Sequence, residues 1–164
     1  MNVSEQLSII NRYMESAPVD VIGMADAIGV ACHSAYLEDD ISGMLERVSE
    51  GVYKCTYNAS HPMTRQRFTV AHEIGHYMLH RKLLGDGVDD NRAYRSTDAG
   101  KYHNTAIGPK QETEANRFAA AVLMPTNLVK QKIAEDCDIS DNDLSRVFKV
   151  SMQAMTIRRK GLGC

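Results

Sequence analysis

The segment FTVAHEIGHYMLH, residues 68–80, constrains the fold of this chain more than any other stretch. His72 and His76 are four residues apart, so in a helix they stack on one face and can bind one ion from the same side. Glu73 completes the HExxH pattern, in which two imidazoles hold zinc and the glutamate serves as general base. The segment therefore predicts a helix that carries half of a catalytic metal site.

The composition of this helix distinguishes a metal site from an ordinary amphipathic helix. Its histidine side contains no Lys, Arg or Asp between residues 69 and 80, although these residues are usual on a solvated face. Gly75 in mid-helix costs about 1 kcal/mol relative to alanine, which indicates that another backbone or a substrate approaches there. His80, one turn beyond His76, is interpreted as a supporting residue rather than a ligand. The apolar side, expected to face the core, consists of Val70, Ala71, Ile74, Tyr77 and Met78.

A catalytic zinc needs a third protein ligand as well as an open position. The extended pattern HExxHxxGxxH is absent, because Lys82 stands where its last histidine would be. The ligand is therefore expected from another element, either His103 in a long polar loop or a carboxylate of the segment QETEANRFAAAVLMP, residues 111–125. In that predicted helix Glu112 and Glu114 lie at opposite edges of the apolar face, and geometry alone does not separate them.

The remaining sequence predicts one α+β domain over residues 1–164, with a small antiparallel sheet, a zincin-like HExxH helix and a helical carboxyl-terminal part. Residues 136–164 are expected to form a helix-turn-helix-like extension of this domain. Residues 85–109 are polar and irregular, as functional loops often are. Predicted helices cover residues 3–15, 18–29, 65–80, 110–124, 126–135, 141–149 and 151–160, and predicted strands cover 30–36, 41–48 and 51–58.

Charge and cysteine content narrow the class of protein. Nineteen basic and twenty-one acidic residues give a formal charge of −2, which argues against a general nucleic-acid coat or a membrane-surface protein. The four cysteines form no CxxC pair, which excludes a zinc ribbon or a thioredoxin-type motif. No apolar stretch is long enough for a membrane span, and the first residues show no signal-peptide pattern. We therefore expect a cytoplasmic protein with reduced thiols.

Two motifs in this order, RQRFTVAHEIGHYMLH and ETEANRFAAAVLMP, resemble the ImmA/IrrE family of bacterial zinc metallopeptidases. The resemblance extends to PVDVIGMADAIGV and LSRVFKVSMQAMTIRR, so it covers most of the chain. In that family the glutamate immediately before the alanine-asparagine pair is the zinc ligand, which corresponds to Glu114 here. The resemblance thus implies a Zn²⁺ site of His72, His76 and Glu114, with Glu73 as the catalytic base and Asn116 in the surroundings.

The resemblance also implies a reaction and a substrate class. It predicts a zinc-dependent endopeptidase that cleaves a protein, namely a helix-turn-helix transcriptional repressor, and so derepresses prophage, mobile-element or stress genes. Tyr102 and His103 in the polar loop are candidate donors to the oxyanion. The strand predicted at residues 51–58 is expected to lie at the sheet edge and to pair with an extended substrate.

A different interpretation starts from the carboxyl-terminal segment DNDLSRVFKVSMQAMTIRRKGLG. Two short helices around a turn, with several basic residues, are features of a DNA-binding regulator. The apolar positions of these helices, however, are also those of an ordinary helix core, so we do not expect direct DNA binding. The alternative to a peptidase is a non-proteolytic regulator, or a toxin–antitoxin-like component, that retains the metal site. The intact Glu73 argues against that alternative.

Overall fold

The computed structural model describes residues 1–85, 87–91, 104 and 106–164, so Tyr102 and His103 lie outside the described residues. The described part contains helices and strands close to the predicted bounds. The helices are α1 Val3–Tyr13, α2 Val21–Ala27, α3 Met63–Leu79, α4 Pro109–Leu123, α5 Thr126–Glu135, α6 Asp141–Phe148 and α7 Met152–Leu162. The strands are β1 Val30–Ala35, β2 Ile41–Ser49, β3 Val52–Asn58 and β4 Gly87–Asn91.

The strands form a mixed sheet in the order β1-β3-β2-β4. The α+β class is confirmed, but the sheet is not wholly antiparallel, because β1 pairs with β3 in parallel. The hairpin between β2 and β3 returns the chain into the space beside β1, and β3 therefore becomes an interior strand. The expectation that β3 is an edge strand is wrong, since neighbours on both sides pair with its backbone. β4 forms within the segment predicted to be an irregular loop.

Helix α3 is the central element of the fold. It packs against α4 on one side and against α2, β2 and β3 on the other. Every residue from Thr69 to Tyr77 is buried, the two histidines and Glu73 included. Burial of this polar set excludes a solvated histidine-rich face and requires that the imidazoles and the carboxylate find partners inside the protein.

Close packing of α3 on α4 depends on Gly75. A β-carbon at this position would lie 3.1 Å from Cα and from the carbonyl oxygen of Ala115, and 3.3 Å from Cβ of Phe118. The sequence predicted that another backbone or a substrate approaches this glycine. The structure shows that it is the backbone of α4 at Ala115, and this contact sets the distance between the two helices that carry the candidate site.

We expect Gly75→Val to destabilise the protein by about 1–3 kcal/mol, because backbone atoms of α4 cannot move aside as a flexible side chain would. Gly75→Ala should also lower stability, even though alanine is the better helix former. Gly161→Ala is the matched control, because this helical glycine has no neighbour within 4 Å of an added β-carbon. The control should gain up to about 1 kcal/mol. Urea unfolding of the three variants measures the effect, and a gain from Gly75→Ala would contradict the packing role.

The carboxyl-terminal helices join the same core. Leu144, Phe148 and Met155 are fully buried, and α6 ends at Lys149 in the left-handed conformation before α7 begins. Arg67 of α3 holds the turn between these helices, because its guanidinium donates to the carbonyl oxygens of Lys149 and Val19 at 3.2 and 2.8 Å. None of the helices that the structure describes is long and apolar enough to cross a lipid bilayer.

Candidate metal centre

Three ligand atoms from α3 and α4 converge on one point. Nε2 of His72 and Nε2 of His76 are 3.0 Å apart. The carboxylate of Glu112 lies 3.4 Å from the first nitrogen and 3.2 Å from the second. Both imidazoles are buried, and the Glu112 side chain is 17% exposed. These atoms form the group within the described residues that has the spacing of a metal site.

The donor set fits a catalytic zinc ion. Two imidazoles and one carboxylate are a common set in zinc hydrolases, where the fourth position is left for water or substrate. Bonds of about 2.1 Å in tetrahedral geometry separate ligand atoms by about 3.4 Å, close to the three separations observed here. Without an ion, the facing lone pairs of two buried imidazoles would repel. The residues present therefore suit a divalent ion with a preference for nitrogen and oxygen ligands.

The tautomer of His72 is set by Asn116. Nδ1 of this histidine lies 2.9 Å from Oδ1 of Asn116, an atom that only accepts hydrogen bonds. Nδ1 therefore carries the proton, and the lone pair of Nε2 points to the ligand cluster. Asn116 lies one turn after Glu112 on α4, so one helix face supplies both a candidate ligand and the group that orients another.

A second chain of hydrogen bonds sets the tautomer of His76. Nε2 of His80 lies 2.9 Å from the carboxylate of Glu114 and must donate to it. Nδ1 of neutral His80 is then an acceptor, and it lies 3.1 Å from Nδ1 of His76. His76 consequently donates through Nδ1 and keeps the lone pair of Nε2 for the cluster. Outer partners of this kind orient metal-binding histidines in many proteins, and His80 and Glu114 occupy such a position.

The pKa shifts agree with this arrangement. Burial, the largest effect, lowers the pKa of His76 although Glu112 opposes the shift, so the imidazole stays neutral and able to bind a metal. Burial by itself would raise the pKa of Glu112, but its contacts with the imidazoles of His72 and His76 outweigh burial and bring the pKa well below its usual value. The hydrogen bond from His80 lowers the pKa of Glu114. Both carboxylates are thus ionised at neutral pH.

Glu73 is the third functional residue of the HExxH pattern in α3. It is fully buried, and its charge reaches β3. The pKa of the Cys55 thiol on β3 is raised by a hydrogen bond with Cys32 and by burial, with a smaller contribution from Glu73. Glu73 follows His72 directly in the helix, and its carboxylate does not belong to the candidate ligand cluster.

The structure does not bring Glu114, which the sequence resemblance assigned as the third ligand, to His72 and His76. At about 100° per residue, Glu112 and Glu114 point about 200° apart around α4. The buried face of this helix is formed by Ala115, Ala119, Val122 and Leu123, and Glu112 lies at its edge whereas Glu114 lies opposite. Glu112 therefore replaces Glu114 as the carboxylate of the cluster.

The family of this chain follows from its two motifs and their geometry. Residues 55–160 match the family model described as the IrrE N-terminal-like domain, a peptidase family. The chain belongs to this family. The match spans α3, α4 and all the candidate ligands, and it supports the resemblance to ImmA/IrrE proteins that the sequence indicated.

The fold also occurs in a larger protein. A Mycobacterium tuberculosis transcriptional regulator superposes with a TM-score of 0.59 at 16% sequence identity. The match covers 94% of this chain and 46% of that chain, so this chain corresponds to about half of the regulator. At this identity the likeness concerns the fold alone. No curated protein matches the sequence at a significant level.

The sequence pattern offered Glu112 and Glu114 as equal candidates for the third ligand. One feature of the sequence favours Glu112 as the ligand. Glu112 and Asn116 are four residues apart and share the helix face of Ala115 and Ala119. The choice between the two glutamates depends on the orientation of α4 against α3, which the residue pattern does not give. His103, the other candidate for the third ligand, lies outside the described residues.

Proposed function

We propose that this chain is a zinc-dependent endopeptidase whose metal is held by His72, His76 and Glu112, with Glu73 as catalytic base. The observation that carries the proposal is the convergence of three ligand atoms in a member of a peptidase family. The HExxH helix that supplies two of these atoms also carries the buried Glu73. Two imidazoles and one carboxylate leave room for a substrate oxygen at the ion. When bound, zinc supplies Lewis acidity, which polarises a carbonyl and lowers the pKa of water.

Other residues of the protein orient the two histidines and transfer the proton of the attacking water. Asn116 and His80 keep the Nδ1 protons of His72 and His76 outward, so that both histidines are ready to bind without reorganisation. Glu73 accepts the proton of the attacking water and returns it to the leaving amine. Its burial keeps bulk water away from the carboxylate, which strengthens its electrostatic interactions with nearby groups.

We propose a helix-turn-helix transcriptional repressor as the substrate, following the resemblance to ImmA/IrrE proteins. Cleavage of such a repressor would release the genes it silences, in a prophage, mobile element or stress response. The test is a comparison of new protein amino termini after a cell lysate is incubated with wild-type protein or with Glu73→Gln. New termini within a DNA-binding repressor, generated by the wild type alone, are expected. New termini confined to unrelated proteins would contradict this substrate assignment.

A non-proteolytic, DNA-binding regulator is the second candidate, and the fold match to a transcriptional regulator is the observation that favours it. The contacts of α7 argue against it. Arg158 donates to the carbonyl of Met124 and the hydroxyl of Thr126, both at 3.0 Å. Arg159 donates to the carbonyl of Ile139 and to Asp141 at 2.9 and 3.1 Å. Both arginines are thus engaged within the fold. A gel-shift assay at several salt concentrations tests the regulator, and specific DNA binding by Glu73→Gln protein would support it.

A further inference from the structure

Two cysteines lie opposite each other on neighbouring strands of the sheet. Cys32 of β1 pairs in register with Cys55 of β3. Because side chains alternate between the two faces of a sheet, residues in register project from the same face. Val30 and Tyr53 are the preceding pair on that face, and both are buried. The pairing of the strands thus places two thiols that are distant in sequence side by side against the core.

The spacing of the strands suits a covalent bond between these two cysteines. Paired strands lie about 4.7–4.9 Å apart, and cysteines joined by a disulfide usually have Cα atoms about 4.4–6.8 Å apart. Both cysteines are free thiols in the structure. A disulfide between Cys32 and Cys55 therefore needs no change in the order or register of the strands.

A hydrogen bond between the two thiols gives them different roles. The thiol of Cys32 donates to the carbonyl oxygen of Val30, with 3.8 Å between sulfur and oxygen, so its sulfur lone pairs remain to accept from Cys55. The hydrogen bond with Cys32 raises the pKa of Cys55 most, and burial raises it further. Cys55 therefore keeps its proton, and the sulfur of Cys32 is the nucleophile of the pair.

The two cysteines also differ in exposure. Cys55 is fully buried, whereas Cys32 is half-buried. A small solute therefore reaches the sulfur of Cys32 first. The other two cysteines, Cys137 and Cys164, are exposed and lie outside the sheet, so they serve as internal references for thiols that the fold does not pair in register.

We propose that Cys32 and Cys55 form a redox-reactive dithiol that hydrogen peroxide converts to a disulfide. The sulfur of Cys32 attacks one peroxide oxygen, so that an S–O bond forms and the O–O bond breaks. The hydroxide that leaves takes up the proton of the Cys32 thiol and becomes water, and Cys32 becomes a sulfenic acid.

The second step forms the disulfide. The sulfur of Cys55 attacks the sulfur of Cys32, so that the S–S bond forms and the S–O bond breaks, and the hydroxide that leaves takes up the proton of the Cys55 thiol. Two thiols and one peroxide thus give one disulfide and two molecules of water. Excess thiol reverses the reaction by exchange. Disulfides of this transient kind are the ones usual in a reducing compartment, and the proposal is independent of the peptidase function.

The disulfide ties two parts of the fold together. β1 stands at one end of the order of the described strands, and β3 packs against α3, the helix of the candidate metal centre. A cross-link between them also restricts the unfolded chain. We therefore expect the oxidised protein to unfold at a higher urea concentration than the reduced protein.

The test treats reduced full-length protein with a small excess of hydrogen peroxide, blocks the remaining thiols with iodoacetamide and maps the cysteines by mass spectrometry after digestion with trypsin. Cys32 and Cys55 fall in different tryptic peptides, residues 13–47 and 55–65, so a disulfide between them joins the two peptides. We expect this link in most molecules, a loss of two of the four thiols, and recovery of both with dithiothreitol. Protein unfolded in urea should give mixed links instead, since only the fold pairs these cysteines.

Two substitutions test the separate roles of the cysteines. Cys55→Ala removes the second thiol, so the sulfenic acid of Cys32 should persist and be trapped by dimedone. Cys32→Ala should leave Cys55 unoxidised, because its sulfur is buried. Cys137→Ala is the matched control, which removes a thiol outside the sheet and should leave the link between Cys32 and Cys55 unchanged. Thermal unfolding verifies that each variant is folded.

Several results would overturn the proposal. They are links that mainly involve Cys137 or Cys164, an unlinked Cys32 in folded wild-type protein, the same pattern of links in urea, and no dimedone adduct at Cys32 in folded Cys55→Ala protein. If replacement of the buried Cys55 prevents folding, the comparison of folded with urea-unfolded wild-type protein decides the question alone.

Discussion

Glu73→Gln is expected to lower the rate of substrate cleavage by about 10²–10⁴, the range over which a positioned general base contributes to catalysis, while the protein keeps its zinc. Glutamine has the shape of glutamate and can fill the same buried position, but it cannot accept the proton of the attacking water. The candidate ligand atoms belong to His72, His76 and Glu112, so the substitution leaves them unchanged. Metal analysis should find about one zinc per chain in both proteins.

The control for this experiment is Glu135→Gln, which removes an exposed carboxylate on α5 that pairs with Lys132. It should cleave at the wild-type rate, measured on a repressor identified by the lysate comparison. Wild-type cleavage by Glu73→Gln protein with zinc bound would show that another group acts as base. Loss of zinc from this variant would show instead that Glu73 contributes to metal binding.

Glu112→Gln is expected to weaken zinc binding far more than Glu114→Gln does. Removal of a ligand should reduce affinity by more than the 10–100-fold typical of an outer partner. Glu114→Gln leaves the three ligand atoms in place and alters only the acceptor for His80, so a loss of at most about 10–100-fold is expected. The two substitutions have the same chemistry and lie two residues apart on one helix, which makes each the control for the other.

Competition with a chelator measures both zinc affinities, and Co²⁺ substitution adds a spectroscopic measurement. Glu112→Gln should change the visible absorption of bound Co²⁺, because a ligand is exchanged, whereas Glu114→Gln should change it little. The opposite order of effects would restore the assignment of Glu114 as the ligand that the sequence resemblance implied. It would also show that α4 rotates when the metal binds.

Much of the local structure was predictable because it depends on residues near in sequence. Helices α3 and α4 begin and end within about two residues of their predicted bounds, since apolar periodicity and flanking prolines act locally. The sheet was harder to predict. Each of β1, β2 and β3 was predicted as a strand, but the position of β3 between the other two depends on pairing over long sequence distances, which residue patterns do not encode.

The sequence by itself determined that a helix would present two imidazoles one turn apart with a glutamate beside them. This follows from helical periodicity and from the spacing of His72 and His76. Only the tertiary structure decided which glutamate of α4 meets them. That outcome depends on the rotation of α4 against α3, which is set by the packing of Gly75 on Ala115 and by burial of the small residues around it. One rotation of this helix directs Glu112 to the two histidines and Glu114 to His80.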